Sequence, residues 1–409
     1  MKNAFYAQSG GVTSVINSSA YGLFLELKKT VPEANIYVGK NGIVGLIEDE
    51  VYDLNKSKKS LDLLLDSPGG MFGSCRYKLP EINDEKFYED LFKKLERYSI
   101  SYFFYNGGND SADTCYKISE AAKKLNYPLN AIAMPKTIDN DLAVTDNCPG
   151  FGSVAKYIAT SAKEASLDIK SMCKTSTKVF ILEVMGRHAG WIAAAAELAN
   201  DDNNTYVHRI LMPEVPLNEE TFISGVKSDV EKFGYSVIVA SEGLKDKNGK
   251  FYTASDTKDS FGHNQLGGLA PKLADLIDKK LGYKYHWSVS DYLQRSARHI
   301  SSQTDVEQAI AVGRAAAKLA LNNANGVMPI IKRINNHDEP YAWVIEESEL
   351  IHIANKEKIV PTDFISEDGF RISQKGVDYL KPLTVGENYP KYQDGVPIYE
   401  QLDLHLAEI

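Results

Sequence analysis

Short runs rich in β-branched and aromatic residues recur along the chain. Each breaks into a polar or glycine-rich turn before a longer amphipathic stretch, and this alternation is what a doubly wound α/β architecture requires. The runs are NAFYAQ from residue 3, NIYVG from 35, SYFFYN from 101, NAIAM from 130, KVFILEV from 178, RILMP from 209, SVIVAS from 236, GVMPIIKR from 326 and YAWVIEE from 341. Helix-period patterns cover 12–29, 109–125, 152–170, 188–199, 218–233, 267–281 and 305–322. In such sheets a ligand sits beyond the carboxyl ends of the strands, where the next helix offers free N–H groups and the positive end of its dipole. Four turns have that placement: SGGVTS with Ser9, Gly10 and Gly11, GGNDSADT with Asn109 and Asp110, PKTIDND after the fourth run, and MGRHAG after KVFILEV. No GxGxxG opens a helix and no GxxxxGK[ST] occurs, so dinucleotide-binding and Walker-type readings lack their motifs.

The chain has 409 residues, 43% hydrophobic and 25% charged, which is enough for two domains around substantial cores. A formal charge of −9 argues against a nucleic-acid partner, so an anionic substrate has to be met by a locally basic pocket. Cys75, Cys115, Cys148 and Cys173 form no CxxC pair and no zinc-like spacing, which fits reduced thiols in a cytoplasmic protein. The start, MKNAFYAQSGG, lacks the apolar run of about 7–15 residues found in a secretory leader, and no run approaches the roughly 18 apolar residues that span a bilayer. Neither secretion nor a membrane partner is expected.

Domain boundaries are poorly marked, with no Pro-, Ser- or Gly-rich linker and no internal repeat. Residues 245–268 are the most loop-like interior stretch and hold His263 between glycines. The final stretch, rich in prolines and charges, reads as a peripheral extension packed on the outside of the body. Trp191 and residues 102–105 are expected in the core, and His188 reads as a structural residue at a helix start.

Phosphoryl transfer to a sugar hydroxyl is mostly positioning and charge neutralisation, because the transition-state charge sits on phosphoryl oxygens. It needs cations and N–H groups around the phosphates, a carboxylate to take the hydroxyl proton, and carboxylates for Mg²⁺. PKTIDND with GGND supplies each part: Lys136, and Asp139 and Asp141 two residues apart in an extended turn and so facing one way. One of the two aspartates is placed to accept the proton while the other helps with the metal or its waters. Alone, an Asp-Asn-Asp turn also fits a capped, solvated loop.

In order and approximate spacing, GGNDS, MPKTIDNDL, EVMGRHAG, ASEG and YLQRS resemble the phosphofructokinase family over residues 1 to about 345, and within it the pyrophosphate-dependent branch. The resemblance implies two doubly wound Rossmann-like α/β domains with a C-terminal extension. The expected division is 1–136 with about 263–310 as the phosphoryl-donor domain, 137–262 with about 311–345 as the sugar-phosphate domain, and 346–409 as the extension. It implies reversible phosphoryl transfer from pyrophosphate to C1 of fructose 6-phosphate, serving glycolysis or gluconeogenesis, with Mg²⁺ as cofactor and a homodimer or homotetramer as the assembly. Sedoheptulose 7-phosphate is a further acceptor by the same resemblance.

Residue by residue, the resemblance makes Asp139 the base, Asp141 its partner and Thr137 a sugar-side contact. Met185, Gly186 and Arg187 then meet the sugar phosphate, Glu242 the sugar hydroxyls, and Tyr292 and Arg295 the phosphate side of the sugar. Gly11, Arg76, Asn109, Asp110 and Lys136 meet the pyrophosphate, with Asp110 also the metal residue because Asn109 stands where the family commonly has Asp. ATP-using relatives carry glycines at the positions of Asp110 and Lys136. A carboxylate at 110 fills the space for the nucleotide's α-phosphate and repels its charge, while Lys136 favours a small, highly charged pyrophosphate. The rival readings are an ATP-dependent phosphofructokinase and a catalytically silent sugar-phosphate sensor.

Overall fold

The computed structural model describes residues 2–258, 264–335 and 339–408; His263 lies outside them. In chain order the strands are β1 (Asn3–Gln8), β2 (Ile36–Gly39), β3 (Val51–Asp53), β4 (Ile100–Gly107), β5 (Asn130–Pro135), β6 (Val179–Val184), β7 (Arg209–Leu211), β8 (Ser236–Ser241), β9 (Ala254–Lys258), β10 (Asn264–Leu266), β11 (Tyr285–Val289), β12 (Val327–Arg333) and β13 (Trp343–Glu349).

Two sheets take eleven of these strands, and β9 and β10 pair separately. The first runs β13-β12-β5-β4-β1-β2-β3, parallel except at its β13 and β3 edges. The second, β11-β6-β8-β7, is wholly parallel. Helices cover both faces of the first sheet, so its central strands are buried on both sides and read as continuous apolar runs. Phe5, Phe103 and Tyr105 pack to one face with Leu91 and Ile118; Ala4, Tyr6, Tyr102 and Phe104 pack to the other with Leu23 and Ala317. In the order β2-β1-β4-β5 the chain turns in opposite directions from β1 and β4. The crevice for a ligand therefore lies beyond the carboxyl ends of these two strands.

The later segments join the opposite sheets from those expected. β11, within 263–310, pairs with β6 in the second sheet, and β12, within 311–345, pairs with β5 in the first. The helix Gln303–Leu321 returns the chain to the first sheet by packing closely on the helix Ile16–Thr30. A Cβ at Gly22 would lie 2.1 Å from Ile310 O, and one at Gly313 would lie 2.0 Å from Ser19 O, so only glycines allow this approach. Residues 245–268, expected as loop, include the β9–β10 antiparallel hairpin.

The C-terminal extension is not peripheral. Val360, Ile372, Leu380 and Leu383 are buried in the same cluster as Phe151, Val184 and Trp191. Arg371 holds Glu197 through Nε at 2.8 Å, and the Trp191 indole N–H donates to Lys358 O at 2.9 Å. Its scattered apolar residues are too few to show a helix or strand period, yet they sink into gaps left by the second sheet. Among the described residues no helix is long and apolar enough to cross a membrane.

Candidate active site

A cavity of about 580 Å³ opens beyond β1 and β4, walled by the turns after β1, β4, β5, β6 and β8. Its floor is cationic. The Lys136 ammonium donates to Gly11 O at 2.5 Å and lies 3.5 Å from where a Cβ on Gly10 would stand. A Cβ on Gly11 would meet the Arg295 guanidinium at 2.7 Å and that of Arg76 at 3.9 Å. Three cations thus converge on one dipeptide of backbone. Burial, then the Arg295 and Arg76 charges, bring Lys136 from 10.5 down to about 8, against the opposing pull of Asp139 and Asp141. The loops are tied together by Lys136 N donating to Gly107 O at 3.0 Å and Gly10 N donating to Cys75 O at 2.9 Å. Asp110 lines the cavity from the first turn of the helix Asn109–Lys124, where the helix dipole favours a carboxylate.

Asp139 and Asp141 both line the cavity, while Asn140 between them is buried and turned away. Burial and mutual repulsion, with Glu242 adding to it, hold Asp139 well above the usual carboxylate range, and Lys136 and Arg187 pull it partly back. Asp141 is likewise raised, by burial first and then by Glu357, and its Oδ1 is buried without a protein partner.

Across the cavity, Met185 and Arg187 come from the turn after β6 and Glu242 from the turn after β8. The two turns are stitched by Glu242 N donating to Val184 O and Gly243 N donating to Gly186 O. Gly186, expected as a substrate contact, sits behind this wall: its N–H supports the Glu242 carboxylate and its carbonyl accepts from Ser241 Oγ at 2.5 Å. Burial raises Glu242 as well. Thr137 and Tyr292 also line the cavity. Arg295, expected on the sugar side, reaches across to Gly11, because its guanidinium stacks on the Tyr292 ring 3.9 Å from the centroid and is aimed by it.

Two wall residues, Asn355 and Glu357, lie outside every sequence motif, and a third, His188, falls within MGRHAG. His188, expected as structural, faces Glu357 Oε2 through Nδ1 at 3.1 Å. Asn109 lines the cavity, but its amide is spent on the C-terminal segment. Its Oδ1 accepts from Asn355 N at 2.5 Å and its Nδ2 donates to Lys356 O at 2.5 Å. Among the described residues no group of three or more His, Cys, Asp or Glu is arranged to hold a metal. Mg²⁺ keeps several waters and is usually held by one or two carboxylates plus substrate phosphates. Asp110 on the donor side and the Asp141 carboxylate, both lining the cavity, suit that mode of binding.

A family model described as Phosphofructokinase matches residues 3–320. The chain is 53% identical to the pyrophosphate–fructose 6-phosphate 1-phosphotransferase of Halomonas elongata, with 99% of this chain and 97% of the relative covered. It is 52% identical to the protein of the same name from Methylococcus capsulatus, covering 98% and 96%. The crystal structure of a pyrophosphate-dependent phosphofructokinase from Nitrosospira multiformis superposes with a TM-score of 0.92 at 49% identity, over 100% of this chain and 98% of that one. With a match that spans the strands of the second sheet and those of the first up to β5, and relatives this similar over nearly their whole length, the chain belongs to the phosphofructokinase family.

Proposed function

We propose that the protein transfers a phosphoryl group reversibly between pyrophosphate and the C1 hydroxyl of fructose 6-phosphate, giving fructose 1,6-bisphosphate and phosphate. The observation that carries this reading is the buried Lys136 ammonium between Arg76 and Arg295 at the Gly10–Gly11 loop. Such a cluster repels itself until an anion arrives, and a compact polyanion neutralises it best. Asp110 at the same rim supports the choice of donor, since a nucleotide would have to place its α-phosphate against a carboxylate.

The C1 oxygen attacks phosphorus, the bond to the departing phosphate breaks, and the hydroxyl proton passes to Asp139. A carboxyl raised by burial is a stronger base than an exposed one and returns the proton readily in the reverse direction. Lys136 and Arg76 offset the charge left on the departing phosphate, while Arg187 and Glu242 orient the sugar. Mg²⁺, held by Asp110, would supply further charge neutralisation on the phosphoryl oxygens.

A homo-oligomer belongs to the same reading. The edge strand β11 and the helix after it expose Trp287 (45%), Tyr292 (63%) and Leu293 (65%) on neighbouring positions, an apolar surface suited to a second copy. A single-chain mass by sedimentation equilibrium would remove that part. A cytoplasmic location accompanies sugar phosphates and pyrophosphate as substrates.

The decisive experiment measures fructose 1,6-bisphosphate formation with Mg²⁺ and either pyrophosphate or ATP at equal concentration. Turnover with pyrophosphate and little with ATP is expected. Preference for ATP would overturn the account of the donor, and silence with both would leave a sugar-phosphate sensor.

A further inference from the structure

The turn carrying Asp139 and Asp141 holds two non-glycine residues in the left-handed region, Asn140 at φ 54° and Val144 at φ 73°. A β-branched residue is a true outlier there, and such backbone persists only where its surroundings over-determine it. Ile331 and Arg333 of β12 hold Thr145 and Asp146 at the far end of the turn, and the C-terminal segment supplies the rest of those surroundings. Lys358 N donates to Asp141 O at 2.7 Å, and Glu357 forms an isolated antiparallel bridge with Leu142, so the segment's backbone is paired with the turn.

The Lys358 ammonium then laces the turn shut. It donates to Asp146 O at 2.6 Å, Thr145 O at 3.0 Å and Asn140 Oδ1 at 3.4 Å, which uses all three of its protons, and it lies 5.3 Å from the Trp191 ring centroid. Tyr379 closes the other side, its hydroxyl accepting from Asn140 Nδ2 at 2.9 Å and donating to Asp146 O at 2.5 Å. Asn140 is thereby pinned away from the cavity, and this orientation sends its two aspartate neighbours into it.

We propose that Lys358 is a positioning residue for phosphoryl transfer: it fixes the Asp139–Asp141 turn in its left-handed form, with Tyr379 as its partner, so that both carboxylates face the reacting groups. This rests on the reading that the turn carries the proton-accepting carboxylate. Lys358 touches no substrate. Its effect should fall on turnover rather than on sugar-phosphate binding, because Arg187 and Glu242 stand on other turns.

The test compares Lys358→Met, Tyr379→Phe and Arg371→Met. In Lys358→Met, kcat with pyrophosphate should fall about tenfold or more while KM for fructose 6-phosphate moves less than about threefold. Tyr379→Phe, which removes one hydroxyl, should show a smaller loss with the same split. Arg371→Met breaks the pair with Glu197, which ties the same C-terminal segment to the helical stretch Ala195–Ala199 without touching the turn. It should unfold at a lower temperature with wild-type kcat.

A folded Lys358→Met with kcat within about twofold of wild type overturns the proposal, as does an equal kcat loss in Arg371→Met. If Lys358→Met does not fold, Tyr379→Phe decides by the same split. The unaltered protein in the same assay reports on the functional reading alone, so a silent wild type and a fully active Lys358→Met fail for different reasons.

Discussion

Replacing Lys136 with methionine should make the protein more stable and a worse enzyme at once. In the ligand-free chain the ammonium is buried beside two guanidinium groups, and its proton affinity drops from 10.5 to about 8. That drop, at about 1.4 kcal/mol per tenfold in affinity, corresponds to about 3 kcal/mol of destabilisation at neutral pH. Loss of the hydrogen bond to Gly11 O takes back about 1 kcal/mol, leaving Lys136→Met ahead by about 2 kcal/mol. For 409 residues the unfolding entropy is about 0.9 kcal/mol per degree, so the unfolding temperature should rise by about 2 °C at pH 7.

The sign with pH follows from the depressed folded-state affinity. Below about pH 8 lysine is charged in both states and the cost is fully present; between about 8 and 10.5 the unfolded chain binds more protons, and the cost fades. The variant's advantage should therefore shrink across that window. Pyrophosphate use should fall meanwhile, since a charge-assisted contact of about 1.5–3 kcal/mol corresponds to about 10- to 150-fold in kcat/KM. Thermal unfolding at pH 7 and pH 10, with pyrophosphate kinetics on the same preparations, checks both halves. A Lys136→Met protein that is less stable at pH 7, or that keeps its kcat/KM for pyrophosphate, would refute the reasoning.

Asp139→Ala should lower kcat by at least about 10²-fold while fructose 6-phosphate binding, read by calorimetry, survives; near-wild-type turnover would move the base elsewhere. The double variant Asp110→Gly with Lys136→Gly should weaken pyrophosphate use in steady-state kinetics, and unchanged pyrophosphate kinetics would remove the account of donor choice.

The central sheet strands were legible because burial on both faces makes them continuous apolar runs, as in Phe103 and Phe104, which face opposite cores. The turns behind them were legible because glycines and paired carboxylates are scarce outside sites and caps. β11 was not: His286, Trp287, Ser288 and Val289 are exposed, so YHWSV carries no apolar period. Its exchange of sheets with β12 left no linker to read. NKEK at 355–358 looks like a solvated charged run, yet Lys358 is half-buried and its ammonium is taken up by backbone carbonyls of a distant turn in place of water. Asn109 shows the same limit. Its departure from the family's Asp pointed to metal binding resting on Asp110, and the sequence carried no sign that its amide also clamps the backbone at Asn355 and Lys356.

The strap at 355–358 also bears on how the molecule comes to be active during its synthesis. A nascent chain that has emerged to β13 already carries every strand of both sheets and the residues Asp139, Lys136 and Arg187. The groups that lock the left-handed turn, Lys358 and Tyr379, are still to be made. In this chain, the Asp139–Asp141 turn proposed to carry the base is written in the first half of the sequence, and its last braces arrive with the final part of the chain.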